Sequence, residues 1–79
     1  MNNINWGPLF DCHVSGDSPI GKLWIRVNRQ NQVTGVYTMF GKTRKLVPEG
    51  QEEWTLEDAK VVAELALLEE IDFRKQYVN

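Results

Sequence analysis

The stretch KLWIRVN, Lys22–Asn28, decides the fold. Leu23, Ile25 and Val27 alternate with Trp24, Arg26 and Asn28, the period of a strand with one buried and one open face. Downstream, the polar RQNQ turns the chain, and TGVYTMF (Thr34–Phe40) is rich in residues that favour the extended backbone. Gly35 within it marks a bulge or a close backbone approach. Gly41 and Lys42 open another turn, RKLV (Arg44–Val47) returns as a short strand, and Pro48 with Gly50 ends it. Upstream, Leu9–Val14 is predicted as a further strand. Phe10, Cys12 and Val14 would then share one face, with Asp11 and His13 on the other, and SGDSPIG would form the following loop. The connections are too short for crossover helices, so the strands are expected to form an antiparallel meander of three or four.

The carboxyl-terminal part reads as one long helix. Thr55 is a fitting N-cap and Asp58 its capping-box partner, with Trp54 and Ala59 placed to pack across the cap. Glu57 and Asp58 in the first turn, and Arg74 and Lys75 near the end, suit the helix dipole. No Gly or Pro interrupts Leu56 to Gln76, a span of roughly 30 Å at about 1.5 Å per residue. Ala59, Val62, Ala63, Ala66 and Phe73 make one apolar face, the small alanines permitting a close seat on a sheet. Val61, Leu65 and Leu68 form a second stripe well around the cylinder. Either the segment Asn2–Pro8 covers it with Ile4 and Trp6, or another protein or a second copy of the chain does. The expected fold is therefore α+β: an antiparallel meander packed against one C-terminal helix. It is read as a single domain, 1–79, with residues 1–8 as a packed arm in the first alternative.

Seventy-nine residues, 42% of them hydrophobic, suffice for one core and argue against disorder. They leave little room for a large enzyme pocket. Cys12 is alone, so no intrachain disulfide forms and no cysteine metal cluster is built, which fits a reducing compartment. MNNINWGPLF has neither the basic nor the apolar region of a signal peptide. The longest apolar run, Leu65–Leu68, is far short of a membrane span. A cytoplasmic, non-membrane protein is expected.

No catalytic, metal or cofactor signature emerges. Adjacent strand residues point to opposite faces, so Cys12 and His13 are not expected to converge as a nucleophilic pair. Cys12 is expected as a small core residue, and His13, the sole histidine, as an ordinary surface or edge residue. Glu52–Glu53 and Glu69–Glu70 have nothing to build a cleft around them, so solvation accounts for them. GKT, Gly41–Thr43, lacks the earlier glycine of a phosphate-binding loop: position 36 is Val.

The charge distribution carries more. Between Ser18 and Pro48 there are six basic residues and no acidic one, whereas from Glu49 onward nine acidic residues face three basic ones. If the helix covers Leu23, Ile25 and Val27, then Trp24, Arg26 and Asn28 lie open on the other face. Lys22, Arg29, Lys42, Arg44 and Lys45 complete a candidate binding surface. Exposed Trp and Arg are the residue types enriched at protein interfaces. The leading expectation is a small non-catalytic protein-binding regulator, adaptor or inhibitor with an unidentified protein partner. The alternative is a nucleic-acid-binding domain, with Arg26 and Asn28 reading base edges and the lysines and remaining arginines on phosphates. The expected element order is similar to that of phage-encoded inhibitors of bacterial defence and of small nucleic-acid-binding domains; this resemblance is one of architecture and rests on no motif. The stripe Val61, Leu65 and Leu68 is the candidate surface for a homodimer or a further partner.

Overall fold

A computed structural model describes residues 4–49 and 53–77. Asn2 of the predicted arm, Gly50 after the last strand, and Glu52 of the first acidic pair lie outside the described residues. Five strands, β1 (Asn5–Trp6), β2 (His13–Ser18), β3 (Gly21–Val27), β4 (Val33–Met39) and β5 (Thr43–Leu46), precede the helix α1 (Leu56–Tyr77). Every strand pairs antiparallel with its sequence neighbour, giving one sheet in the order β1-β2-β3-β4-β5. The architecture is thus an antiparallel meander packed against one C-terminal helix, with a two-residue edge strand added at its amino end.

The alternation in β3 does what a period of two requires. Leu23 and Ile25 are fully buried, Val27 nearly so, and Trp24 and Arg26 face the other way. Val14 from β2 and Val36 from β4 lie opposite Ile25 and join the same core. α1 covers this face, contributing the buried Ala59, Ala63 and Leu67, with Leu56, Val62 and Ile71 packed around them. Alanine at two of the three central positions removes side-chain bulk between helix axis and sheet. The predicted face is corrected at its far end: Phe73 is 55% exposed, and Leu67, four residues after Ala63, supplies the large buried side chain.

The helix starts where its capping chemistry dictates. The Asp58 amide donates to Thr55 Oγ1 at 3.1 Å, and the Thr55 amide donates to Asp58 Oδ2 at 3.1 Å. Two amide donors near the first turn are thereby satisfied reciprocally. Trp54, half-buried, packs against the core just before the cap.

The predicted strand Leu9–Val14 is displaced. Asp11 and Cys12 adopt φ of +51° and +64°, and Phe10 and His13 exchange amide-to-carbonyl bonds of 2.9 and 3.1 Å across them. Left-handed backbone at both central residues of a two-residue turn is the mirror-image hairpin geometry that suits sheet twist. The strand therefore begins at His13 and runs through SGDS, which the sequence had suggested as loop. Phe10 is 74% exposed and Cys12 is exposed, so of the predicted face only Val14 reaches the core. Gly16 is the reason the loop expectation failed. A Cβ there would come within 2.7 Å of both Ile4 and Trp6, so this glycine admits those two side chains across β2 rather than breaking the strand. The next turn is held by Ser18, whose hydroxyl accepts from the Ile20 and Gly21 amides and donates to the Gly21 carbonyl at 2.7 Å.

Ile4 is buried and Trp6 half-buried beside Gly16, yet neither covers the second helical stripe. Val61, Leu65 and Leu68 remain 59%, 56% and 45% exposed.

Two stability outcomes follow from this packing. Leu67→Ala should lower the unfolding free energy by about 2–5 kcal/mol, and Thr55→Ala by about 1 kcal/mol, in urea titrations followed by circular dichroism. Cys12→Gly should instead stabilise by about 1 kcal/mol, because glycine adopts the left-handed backbone without a Cβ penalty. A loss of stability in that variant would contradict the turn geometry.

Candidate binding face of the sheet

The face turned away from α1 is built in rows set by strand register. Ser15, Trp24, Tyr37 and Lys45 lie side by side across β2 to β5. His13, Arg26 and Gly35 form a row on one side of them, and Asp17, Lys22, Met39 and Thr43 a row on the other. The central row is ordered by ring contacts. Trp24 and Tyr37 stack with centroids 5.5 Å apart and planes 4° from parallel. The Lys45 ammonium sits 5.5 Å from the Tyr37 ring centre, within cation–π reach. Cross-strand aromatic pairs of this kind stabilise a sheet while presenting a rigid surface.

Gly35 makes room for that arrangement. A Cβ at this position would stand 2.9 Å from Lys45 Cε and 3.4 Å from Tyr37 Cε1. The lysine stem instead lies across the glycine, which fixes where its charge ends. Both roles expected of Gly35 are realised: besides the close approach, Arg26 and Val27 pair with Gly35 and Val33, so the extra residue of a bulge, Thr34, lies on β4 directly beside the glycine.

At the end of the central row, Ser15 is too small to continue it. A concavity of about 400 Å³ opens there, lined by Asp11, His13, Ser15, Trp24 and Arg26. His13 Nδ1 lies 3.2 Å from the Asp11 carbonyl. A carbonyl only accepts, so this contact assigns the proton to Nδ1 and leaves Nε2 as an acceptor in the neutral ring.

The eight basic-surface candidates divide. Lys22, Trp24, Arg26 and Lys45 share the open face. Arg44 is opposite the buried Thr38 and so points to the helix side. With Lys42 it lines a separate groove of about 650 Å³ that also contains Phe40, Ala66, Glu69 and Phe73. Arg74 closes on that region, its guanidinium 3.2 Å from Glu70 Oε1 and 3.4 Å from the Phe40 carbonyl. Asn28 and Arg29 belong to the β3–β4 turn. Asn28 Oδ1 accepts from the Gln30 and Gln32 amides at 2.9 Å each, and its Nδ2 donates to Gln32 Oε1 at 3.0 Å. That side chain is committed to holding the turn.

Tyr37 was not singled out from sequence, although it sits at the centre of the face. Its signal was the register: the turn between β3 and β4 sets which residue of TGVYTMF stands beside Trp24. Among the described residues, no group of three or more His, Cys, Asp or Glu side chains is arranged to hold a metal ion. Nor is any helix among them long and apolar enough to cross a membrane. No family model matches the chain, and no curated protein or solved structure matches it.

The stack should be measurable as a coupling. A double-mutant cycle of Trp24→Ala and Tyr37→Ala, read by urea denaturation, is expected to give about 0.5–1.5 kcal/mol. Strict additivity would show that the rings do not support each other in solution.

Proposed function

We propose that the chain is a small non-catalytic protein-binding module, acting as a regulator, adaptor or inhibitor. Its partner docks on the open face of the sheet and presents an acidic surface. The observation that carries this is the Trp24–Tyr37 stack, flanked by Lys22, Arg26 and Lys45 on a face that α1 leaves open. Aromatic rings offer large contact area with few torsions to freeze, and Arg and Trp dominate the energetics of protein interfaces. The cations supply orientation and rate rather than bulk affinity. Among the described residues, Asp11 and Asp17 alone bring negative charge near this face, while the helix collects most of the chain's acidic residues. An acidic partner is thereby steered to the sheet and away from the helix.

The same stack favours a second function, single-stranded nucleic-acid binding, because bases also stack on aromatic platforms between cations. Charge count argues against it. Three cations on the face permit at most about three phosphate contacts, giving a salt slope of only about −2 to −3, and the chain's net charge is −2.

Two measurements separate these functions. Fluorescence anisotropy with labelled single-stranded DNA and RNA should show weak binding that vanishes near physiological salt. Affinity capture from nuclease-treated native extract should retain a protein on the wild type that is lost from Trp24→Ala/Arg26→Ala and kept by Leu65→Asp. Tight nucleic-acid binding abolished by the same double variant would reassign the face. A captured protein indifferent to that variant would move the docking site elsewhere.

A further inference from the structure

We propose that the chain pairs with a second copy of itself through the outward face of α1, antiparallel, about a twofold axis at the level of Ala66 along the helix. This surface is separate from the sheet face and stands or falls independently of it. The exposed stripe Val61, Leu65 and Leu68 lies opposite the helix side that carries Ala59, Ala63 and Leu67 into the core. Beside it, Trp6 stands off the helix edge. With Glu57, Val61, Glu64 and Leu65 it bounds a groove of about 320 Å³.

A twofold interface must be complementary to itself. Here a ridge and a groove are present on one face but displaced along the helix. The groove lies at the level of Val61 and Leu65, and the ridge residue Leu68 follows one turn later. An antiparallel pair brings the partner's Leu68 down to the level of the groove, and the symmetry repeats the contact. A parallel pair keeps the partner's Leu68 at its own level, one turn past the groove.

Charge selects the same direction. In a parallel pair Glu57 and the partner's Lys75 stay about 27 Å apart along the axis, at about 1.5 Å per residue, and cannot meet. Glu57 and Lys75 are five helical turns apart at 3.6 residues per turn, so they occupy the same edge of the stripe. Reversing the second helix about Ala66 sets Glu57 opposite the partner's Lys75. That pair is of opposite sign, and the twofold axis repeats it at the other end of the interface. Three apolar side chains and one groove per copy make an interface at the low end of the size range, below the standard of about 1,600 Å². Association is therefore expected at micromolar concentrations. Because α1 lies between its sheet and the interface, the two Trp24–Tyr37 faces would point outward, giving a bivalent particle.

Sedimentation velocity on the full chain from about 1 to 300 µM tests this, the range in which a micromolar dissociation constant is resolved. Wild type should pass from monomer to dimer. Leu68→Asp should weaken association at least tenfold with an unchanged circular dichroism spectrum. Glu57→Lys and Lys75→Glu should each weaken it, and the two together should restore it. A monomer across the whole range overturns the proposal, as does a dimer indifferent to Leu68→Asp. Failure of the double charge exchange to recover association overturns the antiparallel register even if a dimer forms.

Discussion

The close seat of one helix on two central strands is the constraint on which the rest depends. Ala59 and Ala63 bring α1 near the sheet, and Leu67 fills the space beyond them against the core of Leu23, Ile25 and Val36. A buried leucine of this kind contributes about 1.5–3 kcal/mol through area removed from water. In a domain this small, that is a large share of a thin reserve. Once that face of the sheet is fixed as interior, the other is fixed as exterior, because each strand has a period of two. Trp24 and Arg26 are outside because Leu23 and Ile25 are inside.

This coupling explains why neighbouring basic residues have different surroundings. Arg44 and Lys45 are adjacent in β5, yet one stands toward the helix groove and the other over Tyr37. A count of positive charge along the chain treats them alike. The sheet separates them, and it leaves a smaller, more ordered set on the open face: three cations around two stacked rings. The acidic character of α1 is likewise placed by the fold on the side away from that set.

Where local chemistry and burial agree, the sequence was legible. KLWIRVN reads as a half-buried strand because its alternation is uninterrupted, and the helix start reads from Thr55 and Asp58 because the capping box is local. β2 was obscured because its Gly16 and Ser18 are residues that usually mark loops. Gly16 is in the strand to admit Ile4 and Trp6, a requirement that comes from residues distant in sequence. Leu67 was overlooked for a related reason: with apolar residues on several sides of α1, the burial of one stripe is settled only by the sheet. The open face was half legible. Trp24, Arg26, Lys22 and Lys45 were within reach of pattern reading, whereas Tyr37 needed the register of β3 against β4.

The strictly sequential strand order has a consequence for how the chain is made. Each strand pairs with the one before it, so loop closures are short and the sheet can assemble hairpin by hairpin. All five strands leave the ribosome before α1 does. Until the helix is synthesised, Val14, Leu23, Ile25 and Val36 have no cover, and the nascent sheet presents an apolar face to its surroundings. Completion of the core thus waits for α1, which emerges after all five strands. The capping box at Thr55 and Asp58 sits at the leading end of that segment, where it favours helix initiation while the remaining turns are still being added.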